Sequence, residues 1–189
     1  PADDLMDLCN VTINQTIQNN PTMTAFMRRY FHHRYIIESS ADVLRRFVPV
    51  LAEMEKAGQF RQALAEYDFL CTLDTDKDIS LKGRIDRLDT AKIDGQTVAT
   101  IFDFKLNWSS ITWDKLFYGL DVQLLIYLLV ASVLRNEIQA DRVAGAFYLP
   151  IVNSPATKTP DEIERLKNTI PTKAKGIFNG QYAMALDKN

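Results

Sequence analysis

Two aspartates and a lysine, Asp86, Asp103 and Lys105, stand within residues 81–106, LKGRIDRLDTAKIDGQTVATIFDFKL, at spacings that a β-hairpin would bring together. Asp94-Gly95 is a strong short-range hairpin signal, and Ile85, Leu88, Val98, Ile101, Phe102 and Phe104 around it are types that pack on a pleated sheet. With Asp94 and Gly95 as the central pair, each residue faces the one whose number completes their sum. Asp86 then lies opposite Asp103, and Arg84 opposite Lys105. Directly opposed Cβ atoms sit roughly 4.5–5.5 Å apart, and like charges so placed destabilise a sheet. A hard divalent cation offsets that cost, since Mg²⁺ takes carboxylate oxygens while keeping waters and substrate phosphates as its other ligands. Lys105, two residues beyond Asp103, points to the same face and brings positive charge to where a phosphate would sit. The plainer alternative is a solvated hairpin face on which Arg84 and Lys105 neutralise two surface aspartates.

The elements that must position these groups follow from periodicity. Residues 3–18 have a loose helical spacing of apolar side chains, ended by Asn19-Asn20-Pro21. Thr22 or Thr24 caps a second helix to about residue 38, in which Phe26, Met27, Tyr30, Phe31 and Ile37 form an apolar stripe. Arg28, Arg29, His32 and Arg34 crowd the rest, so this helix reads either as a DNA-contacting surface or as a solvated face. Ser39 or Ser40 opens a third helix to about residue 57, with Pro49 as a kink or break and Gly58 as the stop. Residues 64–73 alternate as a strand that carries Glu66. After a loop over residues 108–113, a helix is predicted over about 114–136, apolar nearly all round from Leu124 onward. Gln123 and Tyr127 are its polar exceptions and share a face at i, i+4, while Gly119 one turn earlier would let another backbone or DNA come close. Residues 143–149 read as a strand buried on both faces, parallel to its neighbour after the helical crossover. Thr159-Pro160-Asp161-Glu162 is a capping box that opens a short surface helix, and the basic-then-apolar tail from Thr172 takes no assignment from spacing.

At 189 residues and 47% apolar, the chain is long enough for one ordinary domain with a sizeable core. A formal net charge of -2 is not that of a non-specific DNA binder, although an acidic metal site cancels basic residues in the sum. Cys9 and Cys71, far apart and in apolar settings, suit buried thiols in a reducing cytoplasm rather than a disulfide framework or a metal cluster. The most apolar run, residues 124–134, is shorter than the roughly 20 residues a bilayer span needs, and no signal peptide opens the chain. A start at Pro1 without Met suggests a piece of something longer.

Gly83-Arg84-Ile85-Asp86-Arg87, then Asp103-Phe104-Lys105, then Gln123-Leu124-Leu125-Ile126-Tyr127 resembles, in order and spacing, the GxxD, DYK and QxxxY signature of RecB-type nucleases in the PD-(D/E)XK superfamily. The resemblance is greatest to the nuclease part of the AddB/RexB subunit of bacterial ATP-dependent helicase/deoxyribonucleases, with Lys173-Ala174-Lys175-Gly176-Ile177 as a late K-x-K-G-[IL] element. It covers roughly residues 60–177; Phe104 replaces the usual Tyr and Leu106 the common Ser. It implies an α/β restriction-endonuclease-like fold with an αβββαβ core, a small mixed sheet with helices on both sides. The expected organisation is a single nuclease domain, with a helical lead-in over residues 1–58, a core over 60–150 and a helical extension over 151–189.

The same resemblance implies Mg²⁺-dependent (or Mn²⁺-dependent) hydrolysis of DNA phosphodiesters by an exonuclease that processes double-strand breaks for recombinational repair. Asp86 and Asp103 would bind the metal with the carbonyl of Phe104, and Lys105 would position or deprotonate the attacking water. Glu66, aligned with an E-x-x-F element in Ala65-Glu66-Tyr67-Asp68-Phe69, would hold the metal or that water, and Gln123 and Tyr127 would orient the scissile strand. The expected partners are single-stranded DNA from a processed duplex end and an AddA/RexA-like helicase-nuclease subunit, in the cytoplasm. Family sites also take a His from an upstream helix, but Phe31-His32-His33-Arg34 lacks its context. An iron-sulfur cluster in a longer protein would draw its Cys ligands from outside this chain. The rival expectation is a catalytically inactive fold kept as a DNA-binding or scaffolding module, and a third is another superfamily branch, such as a restriction or junction-resolving enzyme.

Overall fold

The computed structural model describes residues 2–74, 76, 79–106, 111–151 and 174–188. They divide into two compact units, Pro1–Glu53 and Met54–Asn189. The first unit is helical, with α1 (Ala2–Asn19), α2 (Pro21–Arg29) and most of α3 (Phe31–Ala57). Asn20 rather than Thr22 or Thr24 caps α2, its Oδ1 accepting from Met23 N at 3.0 Å with Pro21 at the first helical position. The break between the second and third helices falls at Tyr30, extended at φ -148° and ψ 151°, and not at Ser39 or Ser40. Tyr30 offers its carbonyl to His33 N and Arg34 N, which starts α3 early, while the Ser40 hydroxyl donates back to the Ile36 carbonyl at 2.9 Å and caps nothing. Pro49 lies inside α3 without ending it.

The second unit holds a mixed five-stranded sheet in the order β1 (Arg61–Asp74), β2 (Ile79–Ile93), β3 (Gln96–Lys105), β4 (Arg142–Pro150) and β5 (Lys175–Phe178). β1, β2 and β3 form an antiparallel meander; β4 joins β3 in parallel, and β5 closes the edge antiparallel to β4. The parallel step needs a crossover, which α4 (Trp113–Phe117) and α5 (Gln123–Val133) supply. The single helix expected over residues 114–136 is thus two. Gly119, at φ +69°, occupies the break, and a Cβ there would meet nothing within 4 Å, so its role is a backbone turn rather than close approach. Leu124, Tyr127, Val130 and Ala131 of α5 pack with Leu88, Ile101, Ala146 and Tyr148 of the sheet. A second cluster, with Phe60, Ala91, Val98 and Ala144, includes Tyr182 and Ala185 from a 3₁₀ turn (Gly180–Tyr182) and α6 (Ala183–Leu186). These are the α/β layers of a restriction-endonuclease-like fold. The capping box at Thr159 and the loop residue Trp108 lie outside the described residues. Among those residues, no helix is long and apolar enough to cross a membrane.

Candidate active site

The hairpin turn sets the site. Asp94 at φ 50° and Gly95 at φ 78° are both left-handed, as a type I′ turn requires, and the ladder runs from Ile93↔Gln96 to Arg87↔Phe102 with every pair completing the same sum. Asp86 and Asp103 are the next position along. There the ladder gives way to a side-chain bond: Asp86 Oδ2 accepts from Phe104 N at 2.7 Å. Arg84 does not share with Lys105 in neutralising these two aspartates. It turns to β1, with Nε 2.8 Å from Asp68 Oδ1 and Nη1 3.0 Å from Glu66 Oε2.

Asp103 is buried at 3% exposure and is the hub of the cluster. Its Oδ1 accepts from Gln123 Nε2 at 2.8 Å and lies 3.2 Å from the Tyr127 hydroxyl. Its buried Oδ2 is ion-paired to the Lys105 ammonium at 2.6 Å and takes no further hydrogen bond among the described residues. Gln123 Nε2 also donates to Tyr127, whose hydroxyl donates to the Arg84 carbonyl at 2.9 Å, and Gln123 Oε1 accepts from Lys105 Nζ at 2.7 Å. The i, i+4 pair on the first turns of α5 thereby ties the helix to β2 and β3. Lys105 Nζ also stands 5.0 Å over the Tyr148 ring, a cation–π contact, and Tyr148 in turn donates to Asp121 Oδ1 at 2.5 Å.

Burial pushes the Asp86 carboxyl above the usual carboxylate range; the Phe104 N–H opposes that, while the charges of Asp103 and Glu66 add to it. Tyr127 is pushed up to about 12, chiefly by burial and despite the Gln123 hydrogen bond, so its hydroxyl is neutral at physiological pH. Burial and the Asp121 bond raise Tyr148 as well.

Of the residues named from sequence, the structure brings together Asp86, Asp103, Lys105, Gln123 and Tyr127, with the Phe104 backbone. Glu66 sits at the rim. It falls opposite Asp86 in the β1–β2 register, between Ala65↔Arg87 and Tyr67↔Ile85, but its φ of 50° interrupts the ladder and its carboxylate, 64% exposed, pairs with Arg84. His32 and His33 belong to the helical unit, where His33 stacks on Phe26 at 3.8 Å. Tyr148 and Asp121 had no sequence signal, because Tyr148 reaches the site through the β3–β4 register, Asp103↔Tyr148, which a parallel crossover leaves unspecified in sequence. Among the described residues, no three His, Cys, Asp or Glu side chains gather to cage a metal. The ligands present still fit a hard cation that keeps several waters: two carboxylates share the position, the second oxygen of Asp86 accepts no hydrogen bond among the described residues, and the Lys105 ammonium at 2.6 Å from Asp103 Oδ2 already marks where positive charge is stabilised.

Comparison with known proteins agrees with the geometry. The chain is 30% identical over 163 residues to the B subunit of the ATP-dependent helicase/deoxyribonuclease of Clostridium botulinum (strain Loch Maree / Type A3), covering 77% of this chain and 14% of that protein. It is 31% identical over 172 residues to the protein of the same name from Exiguobacterium sibiricum, covering 82% and 15%, and 32% identical over 162 residues to that of Desulforamulus reducens, covering 77% and 14%. The chain therefore spans about one seventh of the length of the curated relatives it matches. The family model of the PD-(D/E)XK nuclease superfamily matches residues 2–189, and the chain belongs to that superfamily.

Proposed function

We propose that this chain hydrolyses phosphodiester bonds in DNA with Mg²⁺ or Mn²⁺, as the nuclease part of an AddB/RexB-like helicase-nuclease subunit that trims broken duplex ends from a single-strand terminus. The observation that carries this reading is the convergence of the Asp86 and Asp103 carboxylates on one position of the hairpin, with the Lys105 ammonium 2.6 Å from the buried Asp103 Oδ2. Asp86 and Asp103, with the Phe104 carbonyl, would hold the cation. When bound, such a cation supplies Lewis-acid polarisation of the phosphate and acidifies a coordinated water.

The remaining work falls to the side chains. Gln123 fixes the Asp103 carboxylate through Oδ1, with the Tyr127 hydroxyl 3.2 Å from the same oxygen, which leaves Oδ2 to the Lys105 ammonium and to a cation. Lys105 is held on three sides, by Asp103, by Gln123 and by the Tyr148 ring, so its ammonium is pre-positioned to orient an attacking water against a phosphate oxygen and to oppose the negative charge that develops there. Glu66 at the rim can assist from β1 once Arg84 is drawn to a DNA phosphate. In the longer protein, an AddA/RexA-like partner would supply the unwound strand, in the cytoplasm.

Digestion of linear plasmid and of a labelled oligonucleotide with and without Mg²⁺ or Mn²⁺ tests the proposal. Cation-dependent cleavage is expected, lowered by about 100-fold or more in Asp103→Asn and Lys105→Ala, as for loss of a principal charge-stabilising group. Cleavage by Asp103→Asn at near the parent rate would rule the assignment out.

A further inference from the structure

We propose that the joint between α2 and α3 is a platform for single-stranded DNA, with Arg28 and Arg29 taking phosphates and Phe31 and Tyr35 taking bases. The choice of DNA rests on the nuclease reading above; the choice of a single strand rests on the surface itself. From residue 8 to residue 37 there is no acidic residue, and three arginines fall within residues 28–34. Arg34 is held by Glu38 at 2.7 Å, whereas Arg28 and Arg29 have no acidic partner among the described residues. Both line a shallow surface concavity of about 570 Å³ together with Gln18, Pro21, Thr24 and Ala25, wide enough to admit a phosphate and its sugar. Arg29 also lies 5.5 Å over the Tyr30 ring, which leaves its guanidinium edge for an anion.

The rings that follow these charges in the chain are outward. Phe31 is 85% exposed and Tyr35 65%; at i, i+4 on α3 they stand one above the other. The rings behind them are already stacked, Phe26 on His33 at 3.8 Å and Tyr30 on His32 at 5.6 Å, which stiffens the joint. Scattered exposed apolar residues need no explanation, but four aromatic rings interleaved with arginines over ten residues are a different pattern. Arginine and aromatic rings together also mark protein-docking hot spots, so it is the nuclease reading that selects nucleic acid here, and a single-strand platform alternates cations for the backbone with flat rings for the bases. A duplex keeps its base faces stacked and inaccessible, so only a single strand can use both features.

The test is equilibrium binding of a fluorescein-labelled oligo(dT), on the order of 20 nucleotides so that it exceeds a typical single-strand site. The probe is titrated with the full chain in chelator so that it is not cut. Arg28→Gln/Arg29→Gln should weaken binding and lower the slope of log Kd against log salt by about 1.4, roughly 0.7 for each phosphate no longer neutralised. Phe31→Ala/Tyr35→Ala should weaken oligo(dT) binding by about tenfold without changing that slope, and should leave the weaker binding to a duplex of equal length unchanged. Phe31→Trp should keep the affinity, and its indole emission should be quenched on binding; this reports stacking even if an alanine variant is lost to misfolding. Binding by both double variants within about twofold of the parent chain overturns the proposal. So does an effect equal on single strand and duplex, or self-association of the chain that these variants relieve with oligonucleotide affinity unchanged. Patch-dependent binding without cation-dependent cleavage would leave the platform standing and sink the nuclease reading; cleavage without patch-dependent binding would do the reverse.

Discussion

Asp86 and Asp103 occupy the same hairpin position from opposite strands, yet they are not equivalent. Asp86 accepts one backbone N–H, which the amide oxygen of Asp86→Asn can also accept, and it is raised by burial and by neighbouring carboxylates. That substitution should be close to neutral or stabilising in a thermal melt. Asp103 organises Gln123, Tyr127 and Lys105, so an amide there turns a donor toward a donor or leaves the ammonium unopposed. Asp103→Asn should cost about 1–3 kcal/mol, as for a disrupted buried hydrogen-bond set, while both variants lose cleavage. A melt in which the two destabilise equally would contradict this hierarchy. Tyr127 gives a pH signature of the same network. Raised to about 12, it keeps its proton in the folded chain after the unfolded chain has lost its own near pH 10. Its contribution is therefore full below about pH 10 and lost as pH rises through the raised value. Tyrosinate absorbance should show one fewer late-titrating tyrosine in Tyr127→Phe, and that variant should lose less stability between neutral and strongly alkaline pH than the parent. The hairpin residues were legible in sequence because a two-residue turn fixes register arithmetically. The Arg84 pairing was not, because its partners lie on β1, whose register with β2 shifts between Gln62 and Leu64 and between Thr72 and Asp74, irregularities that have no sequence mark.

At the scale of elements, legibility follows how local the determining contact is. The β2–β3 turn, the buried β4 and the stop at Gly58 are marked within a few residues and appear where expected. The break of the crossover helix at Gly119 and the β5 edge strand are not. β5 depends on a close approach: a Cβ on Gly176 would stand 2.1 Å from the Ala146 carbonyl oxygen on the neighbouring strand, a constraint visible only once β4 and β5 are paired. The far face of the sheet carries an element-level tie of its own. Arg87 of β2 grips Asp89 with two bonds of 2.6 and 2.8 Å and reaches Glu55, near the end of α3, at 2.9 Å, with Arg87 and Asp89 side chains about 5% exposed. Removing one partner strands a buried charge, so Arg87→Met should cost about 3–5 kcal/mol in chemical denaturation. The double change Arg87→Met/Asp89→Leu should recover most of that, since apolar replacements of a buried pair are often neutral. Equal losses in the single and double variants would show that shape rather than charge fixes this face.

For the molecule as a whole, the question is how much of an enzyme two carboxylates and a lysine make. The matched part of the chain covers about one seventh of its curated relatives, and no third His, Cys, Asp or Glu joins Asp86 and Asp103 among the described residues. A cation held by two carboxylates and a carbonyl must keep about half of its six octahedral positions for water, so affinity belongs in a weak range, on the order of 1 mM. Binding only to the folded state would then add about 1.4 kcal/mol at roughly 10 mM Mn²⁺. For a chain of this length that corresponds to a rise in Tm of about 3–6 °C. Asp86→Asn and Asp103→Asn should each abolish the rise, and calorimetric titration should give a matching weak isotherm. Because the site is acidic and the chain's net charge is only -2, general screening by added salt should not mimic the shift. Micromolar binding with fast cleavage would mean that a further ligand completes the site, and Glu66, opposite Asp86 in register and paired with Arg84, would be the first substitution to make.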